Sequence, residues 1–202
     1  MATVKVRQKL TFEQYLEQCP EDGRYELVDG ELVRILPTSQ HEDVADFIAK
    51  QFDQEIDRLQ MNYKVSGRTA IATTTPKGLE QGRHPDICVV LLDDWRSNRS
   101  AYTAIREGYI QLIVAVTLTS WEDDYIDKLD EYQRRGVFEY WIADYNAQGS
   151  RQLLGNPKEP SVFVYTLNET GQYQYQRFQG GDRIISSTFP ELHLTVAQIL
   201  EA

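Results

Sequence analysis

The sequence predicts an α/β (α+β) fold, a mixed β-sheet flanked by helices with a β-rich C-terminal extension, from three observations. Two apolar runs at 85–92 and 112–118 lack polar alternation, which is typical of strands buried on both faces of a sheet. Residues 44–59 and 122–135 instead carry apolar side chains at helical spacing. From Arg151 onward, short aromatic segments are separated by turn residues, which favours hairpins.

Length and composition are compatible with this fold and exclude several classes of protein. The chain has 202 residues, so one domain spanning 1–202 can bury a core of its own. With 2 cysteines, it cannot build a disulfide framework or a cysteine zinc site. It has no apolar run long enough for a membrane helix, and residues 1–10 lack the apolar stretch of a signal peptide. We therefore expect a cytoplasmic protein that does not associate with a membrane.

The net charge of −10 bears on the partners of the protein. Non-specific binding to nucleic acid depends on Lys and Arg side chains that neutralise phosphates. The acidic surplus therefore argues against a surface that coats nucleic acid. A nucleic-acid function would need a local site that works against the overall charge.

Two capping patterns predict where the N-terminal helices begin. A capping box that starts at Thr11 predicts a short helix ending near Cys19. A second capping box, starting at Ser39, predicts the beginning of the amphipathic helix over 44–59. His41 would lie in the first turn of this helix on its buried side, where a core or capping histidine is more common than a catalytic base.

Residues 25–33 predict a β-hairpin between these helices. The dipeptide Asp29-Gly30 is a strong signal for a two-residue turn. Such a turn places four side chains on one face of the hairpin, namely Glu26, Val28, Glu31 and Val33. Glutamates in hairpins are most often simply exposed, but both of these could also meet a site at the end of the sheet.

The other elements follow from local patterns. Strands are expected around 63–65 and 70–72, and another at 137–144, after the helix that Gly136 ends. Residues 195–200 predict a short closing helix. A long loop separates the two apolar runs, and loops of that length are usually functional or mobile. Its aromatic and basic side chains are Trp95, Arg96, Arg99, Tyr102 and Arg106.

Asp86 is the most informative polar residue, because it directly precedes an otherwise apolar strand. A charge in that position has to be paired, hydrated or bound to a metal. One interpretation is a carboxylate that caps the strand by accepting backbone N–H groups. The other is a ligand for Mg²⁺, which in phosphodiester hydrolysis is generally held by two or more carboxylates.

The neighbouring apolar strand offers no second carboxylate, since Ile113, Ala115 and Thr117 occupy the corresponding face. Downstream, Asp124 and Lys128 are four residues apart and therefore share one helix face. They could form an ordinary solvated pair at a helix start, where acids are favoured. Alternatively, the Lys128 amine could reach inward towards the sheet.

These segments, in this order, resemble the Uma-two family of restriction endonucleases, a branch of the PD-(D/E)xK nuclease superfamily. The resemblance covers nearly the whole chain. The matching stretches are 25–32, His41 at a helix start, 84–90, 114–117, 121–125, Lys128, 136–144, 181–186 and 189–192.

The resemblance implies a restriction-endonuclease-like fold and Mg²⁺-dependent DNA cleavage. By position, Asp86 matches the metal-binding acid, and Lys128 matches a lysine carried by the following helix. Glu26 and Glu31 match acidic positions of the first hairpin, with an auxiliary role. Ala115, however, stands where the family has its second acidic residue.

The substitution at Ala115 leaves two interpretations. In the first, a nearby acid completes the site of a Mg²⁺-dependent endonuclease-like protein that hydrolyses phosphodiester bonds with retained or weakened activity. The candidate acids are Glu26, Glu31, Asp124 and Glu122. In the second, catalysis is lost and the chain is a non-catalytic nuclease homologue that binds DNA or protein, for which the aromatic C-terminal strands offer an interface. A homodimer would suit either nuclease-like interpretation.

Overall fold

The computed structural model describes residues 9–20, 22–98 and 103–202, so Arg99 and Tyr102 of the long loop lie outside it. The helices are α1 (Phe12–Gln18), α2 (Ser39–Leu59), α3 (Leu92–Ser97), α4 (Lys128–Arg135), α5 (Arg151–Leu154) and α6 (Val196–Leu200), with a π-helical turn at Asp123–Asp127. The strands are β1 (Arg24–Val28), β2 (Glu31–Ile35), β3 (Tyr63–Ser66), β4 (Ala70–Thr74), β5 (Glu80–Arg83), β6 (Ile87–Leu91), β7 (Ala104–Ile105), β8 (Leu112–Val116), β9 (Glu139–Asp144), β10 (Ser161–Leu167) and β11 (Tyr173–Gln179). Within these described ranges, no helix is both long and apolar enough to cross a membrane.

The strands form two mixed sheets flanked by helices, which confirms the predicted fold class. The main sheet has the order β11-β10-β9-β8-β6-β3, and the second sheet has the order β2-β1-β5-β4-β7. The single central sheet expected from the sequence is therefore divided in two. The C-terminal hairpin is not a separate extension, because β10 pairs with β9 and continues the main sheet.

The apolar runs lie in the middle of the main sheet, as predicted. Strand β8 is buried throughout, pairs antiparallel with β6 and pairs parallel with β9. One face packs against α2, where Phe52 meets Trp141 edge-on with ring centroids 5.2 Å apart. The other face packs against the π turn and α4, where Tyr132 meets Tyr140. Each such fully buried side chain contributes about 1.5–3 kcal/mol of hydrophobic free energy.

Most helix and turn predictions are confirmed, with one shift at α2. The capping box at Thr11 is present, but the N-cap of α2 is Thr38, one residue before the predicted Ser39. Thr38 has the extended backbone of an N-cap, and its side chain accepts a hydrogen bond from the His41 N–H. The Asp29-Gly30 turn has positive φ at both residues, as the predicted hairpin turn requires.

Two regions differ from the sequence prediction. Strand β5 was not predicted, because Glu80–Arg83 is polar and lacks alternation; it pairs with β1 and β4 inside the second sheet. The long loop contains helix α3 and strand β7, and both are short enough to escape a periodicity criterion.

Candidate functional site

A cavity of ≈ 220 Å³ lies where β1, the start of β6 and the π turn approach one another. Three of the four predicted site residues line it: Glu26, Asp86 and Lys128. The fourth, Glu31, does not line this cavity; it is exposed at the turn end of the hairpin. The register pairs Glu26 with Val33 and Val28 with Glu31, so the shared face is confirmed but only its Glu26 end reaches the cavity.

Asp86 is held by a backbone amide and a histidine. Its Oδ2 accepts a hydrogen bond from the Val116 N–H at 2.8 Å and lies 3.4 Å from Nε2 of His41. Burial works to raise the pKa of Asp86, but His41 and the Val116 amide outweigh it and lower the pKa. Asp86 is therefore a carboxylate that accepts a backbone N–H, as the capping interpretation expects, and it also lines the cavity.

His41 comes from the first turn of α2 and is 2% exposed. Its backbone N–H is part of the helix cap, whereas its side chain lies between Asp86 and Glu42, with Nδ1 3.4 Å from Glu42 Oε1. Burial works to lower the pKa of His41, but the two carboxylates outweigh it and raise the pKa above 6.5. The imidazole thus lies against Asp86 and favours its charged form, a role that the capping interpretation did not include.

Lys128 is brought to the cavity by the π turn. The turn is closed by a hydrogen bond from the Lys128 N–H to the Asp123 carbonyl, and such π bulges occur frequently at functional sites. The Lys128 Nζ lies 3.0 Å from Asp124 Oδ1 and 3.6 Å from Glu26 Oε1. The predicted reach of the amine towards the sheet is confirmed, and Asp124 is its nearest partner.

The charges around Lys128 fix its protonation. Burial works to lower the pKa of Lys128, but Asp124 and Glu26 outweigh it and hold the pKa well above its ordinary value. Burial raises the pKa of Asp124, assisted by repulsion from Asp86 and Glu26. Lys128 is therefore a permanent cation that can stabilise a negative charge but cannot act as a general base near neutral pH.

Beneath the cavity lies a buried ion network that the sequence analysis missed. Arg83 binds Glu131 through two hydrogen bonds of 2.8 and 2.6 Å, and its Nη1 lies 3.4 Å from Glu26 Oε2. Thr73 also donates to Glu131, at 2.6 Å. One signal was available: Glu131 follows Asp124 by seven residues and Lys128 by three, so all three share one helix face.

Glu26 is fully engaged by these neighbours. Its Oε1 accepts from the His84 N–H at 3.0 Å, and its Oε2 faces Arg83. Burial works to raise the pKa of Glu26, but Lys128 and Arg83 outweigh it and lower the pKa. Its carboxylate therefore links the cavity to the network beneath it.

Ala115 lies in the core next to the cavity. It is 3% exposed and belongs to the apolar cluster that contains Ile113, Tyr132 and Ile142. Its methyl group therefore supplies packing at the position where the resemblance implies an acid. The acids that share the cavity with Asp86 come from other elements: Glu26 from β1, and Asp123 and Asp124 from the π turn. Glu122, another candidate acid, is exposed and does not line the cavity.

The fold and this cavity define an α+β protein of the restriction-endonuclease type, with acids and a lysine gathered at the end of a mixed sheet. The family model described as "Uma2: Putative restriction endonuclease" matches residues 12–197. The chain therefore belongs to the Uma2 family, and the resemblance seen in the sequence is confirmed.

A solved structure supports the fold. The chain is similar to a crystal structure described as a putative nuclease belonging to DUF820 from Anabaena variabilis, with a TM-score of 0.64 and 17% sequence identity. The similarity covers 95% of this chain and 98% of the other. No curated protein was found to match the chain.

Proposed function

We propose that this protein hydrolyses phosphodiester bonds in DNA at the cavity between β1, β6 and the π turn, with Mg²⁺ as its cofactor. The observation that carries the proposal is the convergence of Glu26, Asp86 and Asp124, from three separate elements, around the permanent cation Lys128. Burying several like charges together is costly unless they bind something of opposite charge.

The donor set fits Mg²⁺, which prefers oxygen ligands and usually takes one or two carboxylates plus several waters. Asp86 Oδ1 and Asp124 Oδ2 accept no hydrogen bond from the residues that the structure describes, so each can serve as a ligand. No group of three His, Cys, Asp or Glu side chains among those residues forms a metal site by itself. Water and phosphate oxygens would therefore complete the coordination.

Each neighbouring side chain has a defined part in this proposal. Bound Mg²⁺ would supply an activated water and stabilise charge on the phosphate. Lys128, as a cation 15% exposed, contributes electrostatic stabilisation of the developing negative charge. His41 positions Asp86 at Oδ2, the same oxygen that accepts the backbone amide of Val116. Glu26 positions Lys128 and ties it to Arg83.

Plasmid nicking in Mg²⁺, repeated in Mn²⁺, tests the proposal. We expect wild-type protein to nick supercoiled DNA and Asp86→Asn to abolish nicking, because the amide removes the charge that binds the metal. Asp93→Asn is the matched control, since Asp93 is exposed and bonds only to Asn62 within the described chain. Absence of cleavage with either metal at high protein concentration would contradict the proposal.

The second candidate is a non-catalytic nuclease homologue that binds DNA or protein, and Ala115 is the observation that favours it. Ala115→Glu would return an acid to the strand next to Asp86. If wild type is inert and this variant binds Mg²⁺ and nicks DNA, the protein is a nuclease that has lost catalysis. If wild type already cleaves, the second candidate is wrong.

The homodimer remains part of the proposal, because cutting both strands of DNA commonly uses two sites. Multi-angle light scattering measures the mass of the protein against the 23.4 kDa of one chain. A mass of one chain in the presence of cleaved product would show that a monomer suffices.

A further inference from the structure

A second cavity lies beside the first and is built differently. It has a volume of ≈ 240 Å³ and is bordered by the N-terminus of α2, the segment after β8 and the segment after β9. We call it the α2 cavity. The two cavities share Leu118 and Thr119, so they are neighbours along one continuous surface.

The α2 cavity offers hydrogen-bond donors without charge. Its polar lining residues are hydroxyls and amides, among them Ser39, Gln40, Thr117, Thr119, Asn146 and Gln148, and no lining residue in the described chain is charged. This contrasts with the first cavity, where acids predominate. An anion would meet no acidic side chain in the lining of this cavity.

The helix contributes two unused backbone donors. In α2 the Glu42 N–H bonds to the Thr38 carbonyl and the His41 N–H bonds to the Thr38 hydroxyl. The N–H groups of Ser39 and Gln40 have no acceptor among the described residues, and both residues line the cavity. α2 has 21 residues, so its N-terminus also carries the positive end of a full helix dipole.

Thr117 supplies an independent observation. It is 0% exposed, it lines the α2 cavity, and its Oγ1 is a buried hydroxyl with no hydrogen-bond partner in the described structure. Buried polar groups in proteins are nearly always paired, and leaving one unpaired costs free energy. A buried threonine hydroxyl that stays unpaired in the lining of this cavity indicates a ligand that accepts hydrogen bonds.

We infer that the α2 cavity binds a backbone phosphate of DNA. This phosphate would belong to the same strand as the phosphate in the first cavity and would lie next to it. This inference rests on the proposed function for the identity of the polymer, whereas the phosphate site itself rests only on Thr117 and the α2 donors. Phosphate contacts from hydroxyls, backbone N–H groups and helix N-termini are the usual means by which proteins fix the register of a nucleic acid. The α2 cavity therefore positions the strand, and the first cavity acts on it.

Three variants separate the donors. Thr117→Val keeps the shape of the side chain and removes its hydroxyl. Ser39→Pro removes one backbone N–H at the first helical position, where proline is favoured, and Thr38 already has the extended backbone required before proline. Ser39→Ala is the matched control, because it retains that N–H.

In the first measurement, inorganic phosphate is titrated into the metal-free full chain, and binding is detected by the NMR shift of the Gln40 amide. We expect saturable shifts in wild type and Ser39→Ala, and their loss in Thr117→Val and Ser39→Pro. In the second measurement, binding of a short DNA duplex in the presence of Ca²⁺ is detected by fluorescence anisotropy. Thr117→Val should weaken DNA binding about tenfold, since a hydrogen bond to a charged group is lost.

The outcomes are distinguishable from a failed fold and from failure of the proposed function. Thr117→Val should have an unchanged or higher Tm, because an unpaired buried hydroxyl is removed. It should also leave the salt dependence of DNA binding unchanged, since no cation is lost. A higher Tm with unaltered phosphate and DNA binding would overturn the inference. Phosphate binding without DNA binding would overturn the assignment to DNA together with the proposed function. If wild type nicks DNA but Thr117→Val and Ser39→Pro bind phosphate and DNA as wild type does, this inference alone would be overturned.

Discussion

Buried acids in β9 and at the candidate site are paired in opposite ways. Glu139, in β9, is 0% exposed and accepts four hydrogen bonds, all from neutral donors. These donors are the Trp141 indole, the Ser186 hydroxyl and both the amide and hydroxyl of Thr188. At the candidate site, Glu26, Asp86 and Asp124 instead face Arg83, His41 and Lys128.

The difference shows which buried acid can have a function. Neutral donors saturate both oxygens of Glu139, and burial raises its pKa despite them. At the candidate site, Asp86 and Asp124 each retain an oxygen that accepts no hydrogen bond from the described residues, and both line a cavity beside the cation Lys128. A buried carboxylate thus indicates a site only where its hydrogen-bonding capacity is incompletely used and solvent can reach it.

Removing a cation from the candidate site should have the largest effect on stability. We expect Arg83→Met to lower the free energy of unfolding by about 3–5 kcal/mol, because Glu131 would remain buried without its cation and Glu26 would keep only Lys128. Urea denaturation measures the change. Arg134→Met is the control, since Arg134 forms a more exposed pair with Asp130, and it should cost about 1 kcal/mol or less. Equal losses in the two variants would contradict the role of burial.

Removing the charge of Glu139, which accepts only neutral donors, should lower the free energy of unfolding by less and leave nicking unchanged. We expect Glu139→Gln to lower the free energy of unfolding by about 2–4 kcal/mol, since the amide leaves some of the four donors unpaired. Nicking and phosphate binding measured well below the Tm should be unchanged. If Glu139→Gln eliminated nicking while remaining folded, the distinction between the two groups would fail.

The pH dependence of stability should report Glu139 separately. Its pKa in the folded protein is raised above 4.5, so the folded state keeps a proton that the unfolded chain has already released. Its contribution to stability is therefore present at low pH and is lost as the pH rises from about 4.5 through the folded pKa. We expect the stability of wild type relative to Glu139→Gln to decrease over that range. The exposed Glu159→Gln provides the control, and an increasing difference would refute the sign.

The smallest effect is expected at Glu31, which shares its hairpin face with Glu26. Glu31→Gln should change the free energy of unfolding by no more than about 0.5 kcal/mol and leave nicking unchanged, because Glu31 is exposed. Glu26→Gln should reduce both the free energy of unfolding and the nicking rate, since Glu26 bonds to the His84 amide and pairs with Lys128 and Arg83. Parallel nicking assays and urea curves compare the two. A comparable loss in Glu31→Gln would restore the auxiliary role predicted for it.

The sequence predicted features that depend on near neighbours in the chain. The Asp29-Gly30 turn, the α1 capping box and the shared face of Asp124 and Lys128 are all confirmed. Asp86 stood out because it begins an apolar strand, and it lines the cavity. Patterns of this kind are local, since period and turn chemistry act over a few residues.

The sequence did not indicate the pairings that cross the fold. Arg83 and Glu131 are 48 positions apart, and β5, which carries Arg83, has no periodic signal. Glu139 accepts hydrogen bonds from Ser186 and Thr188, which lie 47 and 49 positions away in the chain. The same applies to Thr117, whose unpaired hydroxyl is visible only when the end of β8 is placed beside α2.

By itself, the sequence determined most of the elements, their order and the family resemblance, and it singled out Asp86 and Lys128 as candidate site residues. Only the tertiary structure decided that Glu26 belongs to the site and Glu31 lies outside it, and that Asp124 stands beside Asp86 where Ala115 cannot. The physical reason is that propensity and patterning act along the chain, whereas the ionisation and pairing of a buried charge depend on every group that packs around it.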